Sequence, residues 1–270
     1  MDLKVLRGTL KKNLLTRYRA YPIDFFVGNV LTGFYTALGA WMMYKLLFEK
    51  NLDSRFYVFT GTKNYMSYVI VGSLIYLFVV RTCLNVSRSL ITELREGTLE
   101  SLMLAPFKRV EYFLGNMVVQ TVTTSIEVLV SLIIAIPFGI NFSHCNLLGF
   151  FVVTIISLYA FFGVSMILGC IMLSTRDTYI SQNTLFTFLF FVCGITFPSQ
   201  YLPQWLRLIA DFIPITNAVT LIRNSVLLGM GVQEQIAAIG SMFLLSTIYI
   251  LVGFLLMKRC EEIALEKIHG

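Results

Sequence analysis

The side chain best suited to chemistry in this sequence is the carboxylate of Glu127, which lies midway along an apolar segment. The residues that precede it are unusually polar for such a segment: Gln120, Thr121, Thr123, Thr124 and Ser125. An ionisable group inside an apolar span is costly and marks a candidate translocation path. Two interpretations remain open. Glu127 belongs to such a path, or it is protonated or held by hydroxyl groups of a neighbouring helix.

Arg81 is a second charged residue within a predicted span. Measured from the predicted inner ends of the two spans, the depths of Arg81 and Glu127 differ by about 15 Å at 1.5 Å per residue. We therefore expect no direct pairing between them. We expect the Arg81 side chain to extend to the inner membrane surface.

Other residue types offer little catalytic chemistry. The five cysteines are scattered without a Cys-x-x-Cys pair, and two histidines are too few for a metal centre. The chain has no Gly-x-x-x-x-Gly-Lys-Ser/Thr phosphate loop, so we do not expect it to hydrolyse ATP through that motif. We expect no catalytic, metal or cofactor-binding residues in this chain.

Composition identifies the elements that must position Glu127. Hydrophobic residues make up 57% of the 270 residues and charged residues 13%, whereas soluble domains have about a quarter charged residues. Continuous apolar runs favour helices, since the strands of a membrane barrel would alternate polar and apolar residues. The fold class predicted is an all-α integral membrane protein with six transmembrane helices.

The apolar runs predict one transmembrane domain over residues 1–270, with spans at about 23–47, 65–86, 111–138, 147–173, 179–197 and 235–257. If both termini are cytoplasmic, most of the 21 Lys and Arg residues face the cytoplasm, as the positive-inside rule requires. We therefore expect a multi-pass cell-membrane protein with both termini in the cytoplasm. The net charge of +6 fits contact with anionic lipid, and no nucleic-acid partner is expected.

Residues 1–22 have an amphipathic pattern. Leucines and a tyrosine recur at helical spacing, at Leu3, Leu6, Leu10, Leu14 and Tyr18. This pattern predicts a helix lying in the inner headgroup layer. The alternative is a basic leader that only sets the topology.

The inner loop 93–108 predicts a short helix beneath the membrane. Gly97 can end the preceding helix, Thr98 can cap a new one, Glu100 favours its first turn, and Pro106 ends it. Three apolar residues would share one side of this helix: Leu99, Leu102 and Met103. Such a side would fit a groove in a cytoplasmic partner. The alternative is a solvated loop.

The outer segment 198–234 predicts two short helices that start after Pro203 and at Pro214, with Pro198 at its beginning. Each helix is too short to span, so together they predict a re-entrant hairpin with Trp205 as an interface anchor. Arg223 falls within an apolar stretch, and we expect it to bind Asp211 or a lipid phosphate. The alternative is an ordinary outer loop.

These two segments resemble signatures of the type-two ATP-binding-cassette (ABC) exporter permeases. The inner run Glu96-Gly97-Thr98-Leu99-Glu100-Ser101-Leu102 followed by Ala105-Pro106 is similar to the family's inner loop. The outer run Phe197-Pro198, Leu202 to Leu206, Pro214, Leu221 to Arg223 and Leu227 to Gly229 is similar to the signature before the last span. With the six-span layout and the amphipathic start, the resemblance covers essentially the whole chain.

The resemblance implies a non-hydrolytic transport subunit. Two permeases, identical or related, would pair around a path, each docked on a cytoplasmic ATPase that binds ATP and Mg. The coupling residues would be Gly97, Thr98, Leu99, Glu100, Leu102, Met103 and Pro106. The outer lid would include Pro198, Pro203, Trp205, Pro214 and Arg223. Substrates would be amphipathic, namely drugs, lipids, peptides or lipid-linked glycans.

Two other classes of function compete with this interpretation. One is a secondary transporter driven by an ion gradient, with Glu127 as the proton or ion site. The other is a membrane enzyme acting on lipid. No cluster of His, Asp and Ser residues near one interface supports the enzyme.

Overall fold

The computed structural model describes residues 38–47, 54–62, 64–98, 109–138, 145–175 and 184–269, with isolated residues at 8, 11, 31, 34, 35, 101 and 140. Most of these residues are helical, and none of those described lies in a strand. Residues 38–42 are helical and continue into a π-helical turn at Met43–Leu47. The predicted interfacial helix 1–22 lies almost entirely outside the described residues.

Helices α1 and α2 begin the well-described part of the chain. The short α1, Ser54–Thr60, lies between the first two predicted spans. Helix α2 runs from Tyr65 to Arg95. Asn64 caps it, because its side-chain oxygen accepts a hydrogen bond from the Ser67 N–H at 3.1 Å. At 31 residues, α2 is about 46 Å long and exceeds the hydrocarbon thickness.

Three more long helices follow the same apolar pattern. These are α3, Arg109–Ala135, which ends in a 3₁₀ turn at Ile136–Phe138, and α4, Leu147–Thr175. The chain ends in α8, Ile236–His269. Between α4 and α8 the elements are short: α5, Phe186–Val192, a 3₁₀ turn at Ser199–Tyr201, α6, Gln204–Asp211, and α7, Pro214–Arg223. A π-helical turn, Asn224–Leu228, extends α7.

Helix α4 is at the centre of the packing and contacts α2, α7 and α8. It approaches α8 closely where glycines replace larger side chains. A Cβ at Gly253 would lie 2.8 Å from the Cβ of Met166, and a Cβ at Gly163 would lie 3.0 Å from a side-chain carbon of Ile250. Small residues allow this approach and increase van der Waals contact between helices in lipid.

The outer surface of the bundle is apolar. On α3, exposed apolar residues recur every three or four positions, at Val118, Val122, Ile126, Leu129 and Ile133. Among the described residues, four helices are long and apolar enough to cross a membrane, or up to five if the bent pair of α6 with α7 and its π turn is one span. This supports a multi-pass helical membrane protein.

The helix boundaries differ from the predicted spans at several points. Helix α2 continues nine residues past the predicted span end at 86, and α8 continues past 257. Helix α5 ends at Val192 instead of 197, because the backbone turns at Cys193 and Gly194. The spans predicted at 23–47 and 179–197 lie partly outside the described residues.

Candidate transport and coupling sites

The inner end of α2 is tied to the chain that follows it. Gly97 has a φ of +72°, in the left-handed region that favours glycine, and it ends the helix as predicted. The Thr98 N–H donates to the Glu93 carbonyl, and the Thr98 hydroxyl donates to the Glu93 carboxylate. The Tyr112 hydroxyl of α3 donates to the same carboxylate at 2.9 Å. Glu93 therefore joins the end of α2, the start of the inner loop and the start of α3.

Five predicted coupling residues, namely Leu99, Glu100, Leu102, Met103 and Pro106, lie outside the described residues. Ser101 in their midst is helical and exposed. The Thr98 hydroxyl donates back to Glu93, and the residues that it would cap lie outside the described residues, so its capping role stays a prediction. The docking role of this segment stays a prediction.

The expectation that Arg81 and Glu127 do not pair is wrong. The Arg81 Nη2 lies 3.2 Å from the Glu127 Oε1. This distance is that of an ion pair, but the geometry is not that of an aligned hydrogen bond. Among the described residues, the Glu127 Oε1 has no hydrogen-bond partner. Glu127 is buried, whereas the Arg81 side chain is 40% exposed.

The expected difference in depth between Arg81 and Glu127 is too large because it is counted from predicted span ends. The contact between Glu93 and Tyr112 gives the actual register of α2 against α3. Counted from that contact, Arg81 lies roughly 12 residues along α2 and Glu127 roughly 15 along α3, a difference of about 5 Å. An arginine side chain spans that distance.

Glu127 belongs to a buried polar seam on α3. Gln120, Thr124, Glu127 and Ser131 recur at helical spacing and are all buried. The Gln120 Nε2 donates to the Thr124 hydroxyl at 2.8 Å, whereas the Ser131 hydroxyl has no hydrogen-bond partner. The seam places the polar side of α3 inside the bundle and leaves its apolar side facing outward.

The outer hairpin is anchored by Arg223 at the end of α7. Its Nη1 and Nη2 donate to the carbonyls of Gly194 and Ile195, each at 3.0 Å. Its guanidinium lies 3.7 Å from the ring centroid of Tyr68 on α2, close enough for a cation–π interaction. The Tyr68 hydroxyl also donates to the Gly194 carbonyl. Arg223 thus binds backbone carbonyls and a ring. Of the two anions expected, Asp211 is exposed and is not its partner, and a lipid phosphate stays a prediction.

Backbone shape makes this anchor possible. Gly194 has a φ of +70°, so the chain turns sharply after α5 and presents two successive carbonyls to Arg223. On α2, a Cβ at Gly72 would lie 2.0 Å from the Arg223 Nη2 and 2.4 Å from the Ile195 carbonyl oxygen. The guanidinium therefore occupies space that only a glycine leaves open.

The two hairpin helices differ in burial. Trp205 and Leu208 on α6 and Phe212 directly after it are exposed, whereas Val219 and Ile222 on α7 are buried. The axes of α6 and α7, with its π turn, bend by 88°. The Tyr249 hydroxyl of α8 donates to the Phe212 carbonyl at 3.0 Å and holds the corner. Pro198 and Pro203 each precede a helical turn, and Pro214 starts α7.

A second polar cluster fixes the far end of the hairpin. The Asn146 side-chain oxygen caps α4 by accepting from the Gly149 N–H at 2.9 Å. The Asn146 N–H donates to the Ser225 carbonyl, and the Gln235 Nε2 donates to the Ser225 hydroxyl. The C-terminal end of α7 is therefore held twice, by the contacts of Arg223 and, two residues later, by those of Ser225.

A comparison with known protein families identifies the family of this chain. The family model for ABC-2 type transporter matches residues 9–227, most of the chain. This chain belongs to the ABC-2 type transporter family. It is a transmembrane ABC transporter permease. The match includes α2, α3 and the hairpin through Leu227, and ends before α8. No curated protein matches the sequence.

Sequence reasoning missed several residues that organise this ABC-2 permease. Tyr68 and Gly72 lie one helical turn apart on α2, and a glycine within an apolar span is a signal of close approach. Glu93 and Tyr112 gave no such signal, because their pairing depends on the register between two helices. Asn146 could have been found as a helix cap immediately before an apolar run.

Proposed function

We propose that this chain is the non-hydrolytic permease subunit of an ATP-driven exporter of amphipathic molecules. The observation that carries the proposal is the family match over residues 9–227. Two permease copies, or this chain and a relative, would form the path, and two copies of a cytoplasmic ATPase would bind ATP and Mg. The substrate would be a drug, lipid, peptide or lipid-linked glycan.

In this proposal the chain crosses the membrane six times with both termini in the cytoplasm. The inner loop 93–108 would dock on the ATPase, and the Glu93 contacts would pass its motion to α2 and α3. The hairpin over 198–234 would cover the outer end of the path. The exposed apolar side of α6 supports this placement, because such a surface is favourable in the outer leaflet and not in water.

The test replaces both Leu99 and Leu102 with Asp and measures copurification with the ATPase and ATP-dependent transport. The transport probes are a fluorescent short-chain phospholipid and a fluorescent drug in inverted vesicles. Removing the apolar contact and adding charge should abolish coupling while the protein still inserts. Ser101→Asp is the matched control, since Ser101 is exposed in the same segment and adds charge without removing an apolar residue. Normal coupling in the double variant would refute the docking role.

A gradient-driven transporter remains the second candidate, because Glu127 is buried and its Oε1 makes no hydrogen bond. The Arg81 guanidinium lies 3.2 Å from this oxygen, so the carboxylate already has a cationic partner within the protein. A protonophore separates the two functions. Transport that stops when the gradient collapses, with ATP still present, would support the second candidate and refute the first.

A further inference from the structure

A cationic face runs along the inner half of α2. Arg81, Asn85, Arg88, Thr92 and Arg95 recur every three or four residues, so they share one side of the helix. Each of them is partly or fully exposed, whereas the residues between them are mostly buried. We call these five residues the cationic face.

The position of Arg81 makes this face unusual. Arg81 lies within the apolar part of α2, two turns before the end of the membrane-crossing segment at Ser89. Charged residues at such depth face a bundle interior or a water-filled cavity, because contact with acyl chains is costly. Glu127 contacts Arg81 from one side, yet 40% of the Arg81 side chain stays exposed. The open part of the guanidinium can therefore accept a second anionic group.

An apolar groove is lined by residues of α2 that lie one and two turns before Arg81. The groove has a volume of about 350 Å³ and lies between α2, α3, α4 and α7. Leu74 and Phe78, which line it, precede Arg81 by two turns and by one turn on the same side of α2. Leu129 and Phe151 also line it and are more than half exposed, so the groove opens sideways towards lipid.

We propose that the cationic face and the groove together bind one amphiphile with an anionic headgroup, and that this is the substrate class of the transporter. The proposal rests on the proposed function for the word substrate. The headgroup binds at Arg81, with Asn85 and Arg88 continuing the polar path inward. One acyl chain lies in the groove. The volume falls within the range of small-molecule sites, about 300–1,000 Å³.

Charge complementarity selects an anionic occupant over a zwitterionic or cationic one. Three of the five residues on the cationic face are arginines, and the planar guanidinium binds phosphate and carboxylate groups through paired hydrogen bonds. Glu93, the single acidic residue within Tyr65–Arg95, is buried and accepts hydrogen bonds from Thr98 and from Tyr112 of α3. Glu127 acts as the resident counterion, which an arriving headgroup displaces from Arg81 or joins.

The test uses the full chain in phosphatidylcholine nanodiscs. The probe is phosphatidylglycerol carrying a photoactivatable diazirine at the end of one acyl chain, and phosphatidylcholine with the same diazirine chain is the comparison. Phosphatidylglycerol should crosslink more strongly. Peptide mapping should place the crosslink on groove residues such as Leu129 and Phe151.

Two variants examine the role of Arg81. Glu127→Gln removes the competing carboxylate and should strengthen phosphatidylglycerol crosslinking. Arg81→Gln combined with Glu127→Gln leaves no unpaired buried charge, so the protein should fold. This double variant should lose the headgroup preference by roughly tenfold, the effect of one hydrogen bond to a charged group. Arg259→Gln, which removes an exposed charge from α8, is the matched control and should keep the preference.

Equal crosslinking of both lipids, or a preference that survives in the double variant, would overturn the binding site. A purely structural ion pair predicts a different pattern, in which Glu127→Gln lowers crosslinking of both lipids alike. Crosslinking needs no ATP, so the two proposals fail separately. If crosslinking is selective for the anionic lipid but ATP drives no transport, the proposed function is refuted. If ATP drives transport but the two lipids crosslink equally, only this binding site is refuted.

Discussion

At the scale of single residues, Arg223 shows why a buried cation needs no acidic partner. Two carbonyl oxygens and the Tyr68 ring together supply the negative potential that a carboxylate would supply. The planar guanidinium meets all three at once, since its nitrogens lie in one plane and its face lies over the ring. A lysine ammonium could bind one carbonyl or the ring, but its point charge does not have this geometry.

Substitutions of Arg223 can therefore distinguish the contribution of the planar guanidinium from that of the positive charge alone. Arg223→Ala should lower the free energy of unfolding by at least about 2 kcal/mol, because it removes two hydrogen bonds from a charged donor. Arg223→Lys should recover only part of that loss. Thermal unfolding in detergent, with transport measured in parallel, gives both effects.

Tyr68→Phe is the control for this series, since it retains the ring beneath the guanidinium and removes only the hydroxyl bond to Gly194. Its effect should be the smallest of the three. If Arg223→Lys is as stable and active as the wild type, the planar contacts do not anchor the hairpin.

Residue contacts were the hardest part to predict from sequence. The position of Glu127 within an apolar segment is enough to mark it as unusual. Its partner was missed because a contact between α2 and α3 depends on the register between the two helices. The partner of Arg223 was missed for another reason. Backbone carbonyls become available only where the chain turns at Gly194, and composition carries no sign of which residue they will face.

At the scale of elements, prolines were the most informative residues. Pro203 and Pro214 fix φ and lack an N–H, so each favours the start of a helix, and α6 and α7 begin at these positions. The different burial of the two helices was not predictable, since both carry apolar stripes. Their surroundings decide it: α7 contacts α2, α4 and α8, whereas most of α6 lies on the surface.

The packing of α7 against α2 predicts that a single methyl group added at Gly72 has a large effect on stability. Gly72→Ala should destabilise the protein markedly, because the new Cβ overlaps both the guanidinium of Arg223 and the backbone carbonyl of Ile195. The measurement is the midpoint of thermal unfolding. In the Arg223→Ala background the same substitution should cost less, because one of the two overlaps is gone.

Gly240→Ala on α8 is the matched control. A Cβ there has no neighbour within 4 Å, so the change should be neutral or stabilise by up to about 1 kcal/mol through helix propensity. Equal effects of the two substitutions would mean that α2 does not approach the hairpin anchor this closely.

At the scale of the whole molecule, the accessibility of the cysteines to a labelling reagent tests the membrane topology. Cys83, Cys170 and Cys193 are buried, whereas Cys145 and Cys260 are partly exposed. In the proposed topology Cys145 lies outside and Cys260 inside. An impermeant maleimide added to sealed cells should therefore label Cys145 and spare Cys260, and the variant Cys145→Ser gives the background.

The labelling of Cys145 should also depend on pH in a defined direction. Burial raises the pKa of the Cys145 thiol above its ordinary value, and the thiolate is the reacting form. The labelling rate of Cys145 should therefore keep increasing with pH beyond the range in which the labelling rate of a free thiol has already levelled off. Labelling of Cys260 in sealed cells would contradict the cytoplasmic placement of the C-terminal end.

Helix α2 has a mechanical consequence for the whole permease. It is one unbroken rod of 31 residues, with Tyr68 beneath the hairpin anchor at one end and Glu93 beside the inner loop at the other. A rod about 46 Å long that pivots at its inner end by about 5° moves its outer end by about 4 Å. That displacement exceeds the reach of the two contacts that α2 makes with the anchor, namely the hydrogen bond from the Tyr68 hydroxyl to Gly194 and the stacking of Arg223 on the Tyr68 ring. In the proposed topology, a small rotation at the cytoplasmic end of α2 would therefore separate Tyr68 from the hairpin anchor, so that α2 would act as a lever.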